Sequence, residues 1–222
     1  MSKADPRWRG WRRFARNRLS VFGAALIALV LFCALFAPYV APYPEHAGVV
    51  VNFADANKPP SAKYWLGTDS VGRDVLSRII FGFRNSLMLG AVVVSLAISL
   101  GPIVGLVAAY LGGRVESVLM RVTDIFLAIP SLVLAMAILG ISQPSQMLAM
   151  IAMAVAWWPW HARLVYGIVR SLKHEGFVTA AEVVGASPLR VMFGELLPNC
   201  APNLLTKASL DMGFVILLGA SL

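Results

Sequence analysis

The stretch LSVFGAALIALVLFCALFAPYV, residues 19–40, contains no Asp, Glu, Lys or Arg. As an α-helix its 22 residues would extend about 33 Å, at about 1.5 Å of rise per residue. Because the hydrocarbon core of a bilayer is about 30 Å thick, this stretch is long enough to cross it. It therefore predicts an integral membrane protein.

Four further segments are also long and mostly apolar, although three of them hold a few charged residues. They are residues 86–110, 118–141, 146–169 and 201–222. Backbone groups in lipid must be satisfied within their own segment, which predicts helices, whereas a β-barrel would show short alternating segments. The composition agrees with this prediction, since 59% of the residues are hydrophobic and only 14% are charged. In soluble domains about half of the residues are apolar and about a quarter are charged. We expect an all-α, polytopic transmembrane bundle with five spans.

Basic residues set the expected orientation, because cytoplasmic loops are enriched in Lys and Arg. The first 18 residues hold seven of them: Lys3, Arg7, Arg9, Arg12, Arg13, Arg16 and Arg18. This predicts a cytoplasmic N-terminus. The connections then alternate, with 42–85 outside, 111–117 inside, 142–145 outside and 170–200 inside.

The same pattern predicts the organisation of the chain. Residues 1–18 form a basic cytoplasmic segment, 19–41 the first transmembrane helix, 42–85 an extracytoplasmic loop and 86–222 the main transmembrane domain. A cleaved signal peptide is an alternative for the N-terminus, but the apolar run exceeds the usual 7–15 residues. Topology and anionic headgroups account for the net charge of +8 better than nucleic acid does.

The sequence offers little for covalent chemistry. Cys33 and Cys200 form no C-x-x-C motif, and His46, His161 and His174 lack metal-ligand spacing. No phosphate-binding G-x-x-x-x-G-K-[ST] motif is present. We expect no enzyme, no metal site and no cofactor in this chain, so that any ATP would be bound by another subunit.

Residues 177–199, FVTAAEVVGASPLRVMFGELLPN, interrupt the apolar spans. They predict a helix, a turn at Gly185 and a second short helix, with Ser187 as its cap and Pro188 in its first turn. We expect Pro198 to end that second helix. The unit is either a docking surface for a partner or an amphipathic connector lying on the headgroups, and the spacing leaves both open.

Ionisable residues inside spans usually face a cavity or pair with each other. Arg121 and Asp124 predict a local pair three residues apart. Asp211 lies about 15 Å into the last span by helical rise, with Lys207 one turn earlier. Asp211 either lines a translocation path or forms a structural pair with Lys207.

Three further features carry expectations about shape. The prolines in Gly101-Pro102 and Ile129-Pro130 predict kinks in the second and third spans. Three tryptophans of the fourth span are expected to pack or to anchor it at an interface: Trp157, Trp158 and Trp160. In the outer loop, pairs four residues apart are expected to hold a compact surface element formed by Asp69, Arg73, Asp74 and Arg78.

The 177–199 segment resembles the cytoplasmic loop of ABC importer permease subunits. That pattern reads E-A-A, three residues, G, nine residues, I-x-L-P, and the spacing here matches at every step. Thr179 replaces the glutamate, for which Glu175 or Glu182 would substitute, and Glu195 replaces the isoleucine. In the family this loop is a coupling helix seated in a groove of the ATPase. The resemblance implies that role for Thr179, Ala180, Ala181, Glu182, Gly185, Leu197 and Pro198.

Four other stretches, residues 17–43, 64–90, 112–139 and 157–187, are similar to the dipeptide/oligopeptide/nickel branch of these permeases. The resemblance covers residues 17–222. It implies a bacterial or archaeal inner-membrane protein with three kinds of partner: a second homologous permease, two ATPase subunits that bind ATP-Mg, and an extracytoplasmic solute-binding protein that docks on the outer loop. Family members have a sixth span beyond the LGASL motif, so we expect one span to be absent here.

The implied activity is import of di- or oligopeptides by alternating access, with nickel or another small solute as the alternative cargo. The competing classes are an ion-gradient-driven secondary transporter, which would show inverted repeats or broken helices, and a non-transporting membrane scaffold. Neither competing class explains the spacing from Gly185 to Pro198.

Overall fold

The structure is a computed structural model that describes residues 14–141, 143 and 145–222. Lys3, Arg7, Arg9, Arg12 and Arg13 of the predicted cytoplasmic segment lie outside the described residues, as do two positions of the 142–145 connection. The chain divides into two compact units, Met1–Leu87 and Met88–Leu222.

Helices dominate the described residues, as the sequence predicts. They are α1 (Arg18–Leu35), α2 (Ala37–Val40), α3 (Val75–Leu111), α4 (Gly113–Ala128), α5 (Ser131–Gly140), α6 (Gln146–Leu172), α7 (Gly176–Val183) and α8 (Pro188–Gly219). Two 3-10 turns, Pro44–Ala47 and Phe53–Asp55, lie in residues 42–85, the predicted outer loop. The extended pairing in the described part is an isolated bridge between Thr68 and Asp74.

The helices support fewer spans than the five that the sequence pattern predicts. In the described part of the chain α1, α3 and α8 are long and apolar enough to cross a membrane. The pair α4 and α5 makes a fourth if it is one broken span, bent by 84°. The predicted fourth span is a helix of 27 residues, α6, but it does not reach the same hydropathy because its second half holds tryptophans, His161 and Arg163. Five spans stay a prediction.

Asp69 holds the compact outer element that the sequence predicts. Its carboxylate accepts from the side chains of Arg73 at 2.9 Å and Arg78 at 2.6 Å. The prediction that Asp74 takes part in these ion pairs is wrong. Asp74 is buried and accepts from the backbone N–H of Ser77 at 2.8 Å and from its hydroxyl at 2.7 Å. It therefore caps α3, which begins well before the span predicted at residue 86.

Asp55 is the second charged centre of the outer loop. Its carboxylate binds the Lys58 ammonium, accepts from the Tyr64 hydroxyl at 2.8 Å and lies 3.5 Å from the Lys63 ammonium. The hydrogen bonds from Lys58 and then Tyr64 lower the pKa of Asp55 to about 2. These contacts tie the 3-10 turn at residue 55 to the chain that precedes α3.

Two apolar clusters form the core of the second unit. The first core cluster joins α3, α5, α6 and α8, and includes Val93, Ala97, Ala135, Trp158 and Val215. Phe126 packs on the Trp158 ring edge-on, with centroids 5.5 Å apart, which confirms a packing role for this tryptophan. The second core cluster joins α3, α6, α7 and α8, and includes Leu106, Val165, Val169, Val178, Val191 and Leu196.

Two glycines let α3 and α6 approach closely. A Cβ added at Gly101 would overlap the Trp158 carbonyl oxygen and lie 2.7 Å from the His161 Cβ. A Cβ at Gly105 would overlap the carbonyl oxygen of Ala162. This Gly-x-x-x-Gly spacing on one helix face is typical of closely packed transmembrane helices. The crossing fixes His161 against α3.

The prolines act differently from one another. The kink predicted at Pro130 is a full break, with α4 and α5 bent by 84°. By contrast, α3 continues through Pro102 as one helix. The prediction that Pro198 ends its helix is wrong, because α8 runs on to Gly219. Residues Val191–Leu196 are π-helical, and the Leu197 N–H donates to the Met192 carbonyl, five residues back. This wider turn directly before Pro198 lets the helix pass a residue that has no N–H of its own.

Candidate functional site

The predicted coupling segment forms the helix–turn–helix that its sequence indicates. Gly185 has a φ of +87°. The Ala186 N–H donates to the Ala181 carbonyl at 3.0 Å, and the Gly185 N–H donates to the Glu182 carbonyl at 2.9 Å. These two bonds are the Schellman motif, which needs a left-handed residue where Gly185 stands. Ser187 then caps α8 by accepting from the Arg190 N–H at 3.4 Å, as predicted.

Apolar side chains are exposed around this turn. Val183 is 82% exposed, Val184 is 87% exposed and Leu189 is 65% exposed. We call these three residues the bend surface. Exposed apolar groups clustered at one turn mark either a protein contact or a membrane contact.

The segment rests on the second core cluster. Val178 of α7 and Val191 and Leu196 of α8 are fully buried there, against Leu106 of α3 and Val165 of α6. A force on the bend surface would therefore reach the membrane helices through close-packed side chains, which have little freedom to deform.

The seven predicted coupling residues divide by exposure. Thr179, Ala180, Glu182, Gly185 and Pro198 are exposed, while Ala181 and Leu197 are half-buried against the second core cluster. The Glu182 carboxylate accepts from the Tyr110 hydroxyl of α3 at 3.1 Å. Glu182 is thus already bonded within the chain, whereas Glu175, at the N-cap of α7, is exposed. Of the two carboxylates that would substitute for the family glutamate, Glu175 is the more accessible.

The charges of α4 pair with α6. Asp124 binds the Arg163 guanidinium, so the expected local pair of Asp124 with Arg121 is wrong. One turn on in α6, the Tyr166 hydroxyl donates to Glu116 of α4 and accepts from Arg170 at 2.9 Å. Helical spacing predicts only pairs three or four residues apart, so it could not predict these partners, which are distant in sequence.

The predicted pair of Lys207 and Asp211 is present in α8. The ammonium donates to Asp211 Oδ1 at 2.5 Å, and the Asp211 side chain is only 1% exposed. His161 of α6 faces the other carboxylate oxygen, with Nε2 3.4 Å from Oδ2. Neither of these two atoms makes a hydrogen bond within the part of the chain that the structure describes. Buried polar atoms without such partners are rare and costly.

A cleft of about 500 Å³ opens on this group. Lys207 and Asp211 lie on its wall with Trp157 and Trp160 of α6. The break at Pro130 contributes the start of α5, through Ser131 and Leu132, among other residues. The volume is within the range of about 300–1,000 Å³ that is usual for small-molecule sites. The cleft is concave and mostly apolar, with a few polar groups on its wall.

His161 is the residue that sequence reasoning missed. The spacing of the histidines indicates only that they do not form a metal site. The available signal was simpler, because any ionisable side chain inside a predicted span is a candidate functional group. Its partner Asp211 lies 50 positions away, so only the fold brings the two together.

Comparison with known proteins identifies the family of this chain. Residues 101–222, more than half of the chain, match the family of binding-protein-dependent transport system inner membrane components. The chain belongs to this family. Residues 6–60 match a second family, the N-terminal transmembrane domain of oligopeptide transport permease C. Membership confirms the resemblance found in the sequence and makes the protein a multi-pass membrane component that works with the other parts of a transport system.

Relatives with named cargo cover nearly the whole chain. A di/tripeptide transport system permease protein of Pseudomonas aeruginosa (strain UCBPP-PA14) is 40% identical over 96% of this chain and 71% of its own length. A dipeptide transport system permease protein of Escherichia coli (strain K12) is 41% identical over 93% and 70%. One from Alkalihalophilus pseudofirmus (strain ATCC BAA-2126 / JCM 17055 / OF4) is 37% identical over 97% and 70%.

Proposed function

We propose that this chain is a permease subunit of an ATP-driven importer of di- and oligopeptides. Two ATPase subunits bind ATP-Mg, a second homologous permease completes the path, and an extracytoplasmic solute-binding protein delivers the cargo. The observation that carries the proposal is the bend surface, an exposed apolar turn mounted on a core shared by α3, α6 and α8. The names of the relatives support peptides as the cargo.

In this mechanism the chain transmits motion and performs no covalent chemistry. The ATPase seats the bend surface in a groove, and closure of the ATPase pair on ATP displaces α7 and the start of α8. Val178 and Leu196 carry that displacement to Leu106 and Val165. Packed helices respond to such a load as rigid bodies, which suits alternation between two orientations of the path.

The bend surface is tested by adding a charge to it. We expect Val184→Asp to release the ATPase, because a buried unpaired carboxylate is unfavourable in an apolar contact. Val49→Asp is the matched control, since Val49 is 97% exposed and lies in the outer loop. The measurement is co-purification from native membranes in mild detergent. Retention of the ATPase by Val184→Asp, or loss of the ATPase in the control alone, would contradict the docking role.

The cargo and the energy source need a separate assay. Uptake of a radiolabelled dipeptide into cells should need ATP and persist when an ionophore collapses the ion gradients. Loss of uptake with the gradient, at preserved ATP, would favour a secondary transporter. Uptake of nickel or another small solute without peptide uptake would support an ATP-driven importer but contradict peptides as its cargo.

A further inference from the structure

We infer that the cleft beside Lys207 is an anion subsite that takes the terminal carboxylate of a peptide. The inference rests on the proposed function and names the chemical group that the path recognises. Two positively polarised features, from different parts of the fold, line the same cleft. The Asp211 carboxylate, bound to Lys207, also reaches the wall, and most of the remaining lining is apolar.

The first feature is the Lys207 ammonium. One of its three N–H donors is used by Asp211 at 2.5 Å, and the ring of Trp160 lies 6.0 Å away. The Lys207 side chain is 31% exposed, against 1% for Asp211. An incoming solute therefore meets the ammonium before it meets the carboxylate, which favours an acceptor over a cation.

The second feature is the start of α5. The break at Pro130 frees this end of the helix, where the Leu134 N–H donates to the Pro130 carbonyl at 3.0 Å. The preceding amides, those of Ser131 and Leu132, belong to the first turn of the helix, whose N–H groups lack intrahelical acceptors. A helix N-terminus carries a partial positive charge and binds anions, including the carboxylates of solutes in broken membrane helices.

The third observation concerns two buried polar atoms behind Lys207. Asp211 Oδ2 and His161 Nε2 are buried and face each other at 3.4 Å without a hydrogen bond. This arrangement lets the ammonium change partner. When a carboxylate draws Lys207 into the cleft, a small movement lets His161 donate to Asp211, so that the buried aspartate keeps a partner.

The apolar part of the wall defines the rest of the ligand. Leu132, Trp157, Trp160 and Phe214 line the cleft next to the two positive features. We therefore expect a carboxylate attached to an apolar side chain, as in a peptide that ends in Phe or Leu. The Asp211 carboxylate on this wall is only 1% exposed and is bound to Lys207, so a free amino group would have to displace the ammonium to reach it.

The test compares three probes on the detergent-purified permease complex without its solute-binding protein: Ala-Phe, its C-terminal amide and N-acetyl-Ala-Phe. Competition against radiolabelled Ala-Phe gives each affinity. Hydrogen bonds to charged groups contribute enough that amidation should weaken binding about tenfold or more, whereas acetylation should change it little. Equal binding of acid and amide would overturn the inference. Loss on acetylation alone would instead assign an amino-group site at Asp211.

Variants of the cleft complete the test. Lys207→Gln should abolish the difference between acid and amide, and Lys207→Arg should preserve it. Lys207→Gln leaves Asp211 buried and unpaired, so the double variant Lys207→Gln/Asp211→Asn removes both charges. Like Lys207→Gln, it should bind the acid and the amide equally. Gel filtration and circular dichroism check that it folds normally. Retained discrimination in the folded double variant would overturn the inference.

The two proposals fail in different ways. If the ATPase co-purifies and peptide uptake needs ATP, but binding ignores the carboxylate, only the anion subsite is wrong. If the carboxylate dependence is found and no ATPase binds the intact chain, the subsite stands and the ATP-driven function falls.

Discussion

Gly101 and Gly105 determine how closely α3 can approach α6, and thereby where His161 stands. A Cβ at Gly105 would overlap the Ala162 carbonyl oxygen and lie 2.9 Å from the Tyr166 amide nitrogen. We expect Gly105→Ala to lower the free energy of unfolding by about 1–3 kcal/mol, the usual cost of forcing extra atoms into a packed site. A thermal melt in detergent measures this change.

The matched control for this substitution is Gly167→Ala. Gly167 lies in the last third of α6 and a Cβ there would meet no atom within 4 Å. Alanine also favours the helix over glycine, so the control should melt at the same temperature or slightly above. Equal destabilisation by both variants would show that the close crossing is not what Gly105 provides.

Asp55 gives the outer loop a pH dependence whose sign follows from its contacts. Lys58 and Tyr64 lower its pKa to about 2, from a usual value of 3.8. The folded loop therefore favours the ionised carboxylate, so this stabilisation is complete above about pH 4 and is lost as the pH falls toward 2. Protease resistance of the loop, measured after brief exposure to a series of pH values, should fall in that window.

The comparison variant for this titration is Asp55→Asn, which should make the loop protease-sensitive at neutral pH and flatten the profile below pH 4. Glu45→Gln is the control, because Glu45 lies in the same loop and is exposed. An unchanged profile in Asp55→Asn would assign the acid transition to another group, of which Asp69 is the first to examine. Burial acts to raise the pKa of Asp69, but hydrogen bonds from Arg73, Val71 and Arg78 outweigh it and lower the pKa.

Residue-level prediction succeeded where the chemistry is local. The Schellman turn at Gly185, the cap at Ser187 and the pair of Lys207 with Asp211 all join residues within five positions of each other. It failed for the partners of Asp124 and for His161, which depend on helices that meet only in the fold. The coupling roles of Thr179 and its neighbours stay predictions, because they concern a surface of another protein.

At the scale of the element, α7 is anchored by the buried Val178, by the half-buried Ala181 and by a side-chain hydrogen bond to α3. Val178 anchors it in the second core cluster, and Glu182 accepts from Tyr110 at 3.1 Å. Removing this bond with Tyr110→Phe should cost about 0.5–1.5 kcal/mol, typical of one hydrogen bond. We expect faster hydrogen exchange over Gly176–Val183 and weaker coupling of ATP hydrolysis to uptake.

Tyr39→Phe is the control for the loss of a tyrosine hydroxyl, since Tyr39 is 87% exposed at the end of α2. Unchanged exchange over α7 in Tyr110→Phe would mean that apolar packing, through Val178 and Ala181, positions the helix without the hydrogen bond. Faster exchange with normal coupling would separate the stability of α7 from its role in transmission.

Helix continuity was the weakest element-level prediction. The rule that proline ends a helix holds at Pro130 but not at Pro198, where the π-helical turn Val191–Leu196 removes the conflict. Local sequence shows a proline but not the hydrogen-bond register around it. Tertiary packing decides the outcome here, because Val191 and Leu196 are buried in the second core cluster and hold the wider turn in place.

At the scale of the whole molecule, the all-α class follows directly from composition and block length, whereas the number of spans does not. The bent pair α4–α5 and the tryptophan-rich α6 are the two uncertain crossings. Asp124 of α4 pairs with Arg163 of α6 inside the unit, and such charged groups lower the average hydropathy of both helices. Sequence alone cannot assign those partners.

The crossings can be counted by placing one cysteine in the outer loop and one at the bend. Three crossings between them, by α3, the bent pair and α6, place the two sites on opposite sides, whereas loss of either uncertain crossing places them on the same side. Val49→Cys and Val184→Cys suit this test because the native side chains are 97% and 87% exposed. The native cysteines, Cys33 and Cys200, are replaced by alanine.

An impermeant maleimide should then label Val49→Cys in intact spheroplasts, and Val184→Cys only after permeabilisation. That result places the bend surface in the cytoplasm, where ATP and the ATPase are, and agrees with the basic N-terminus. Labelling of both sites in intact spheroplasts would remove one crossing and put the bend outside the cell. Coupling to a cytoplasmic ATPase would then be impossible, because no segment of this surface could reach it.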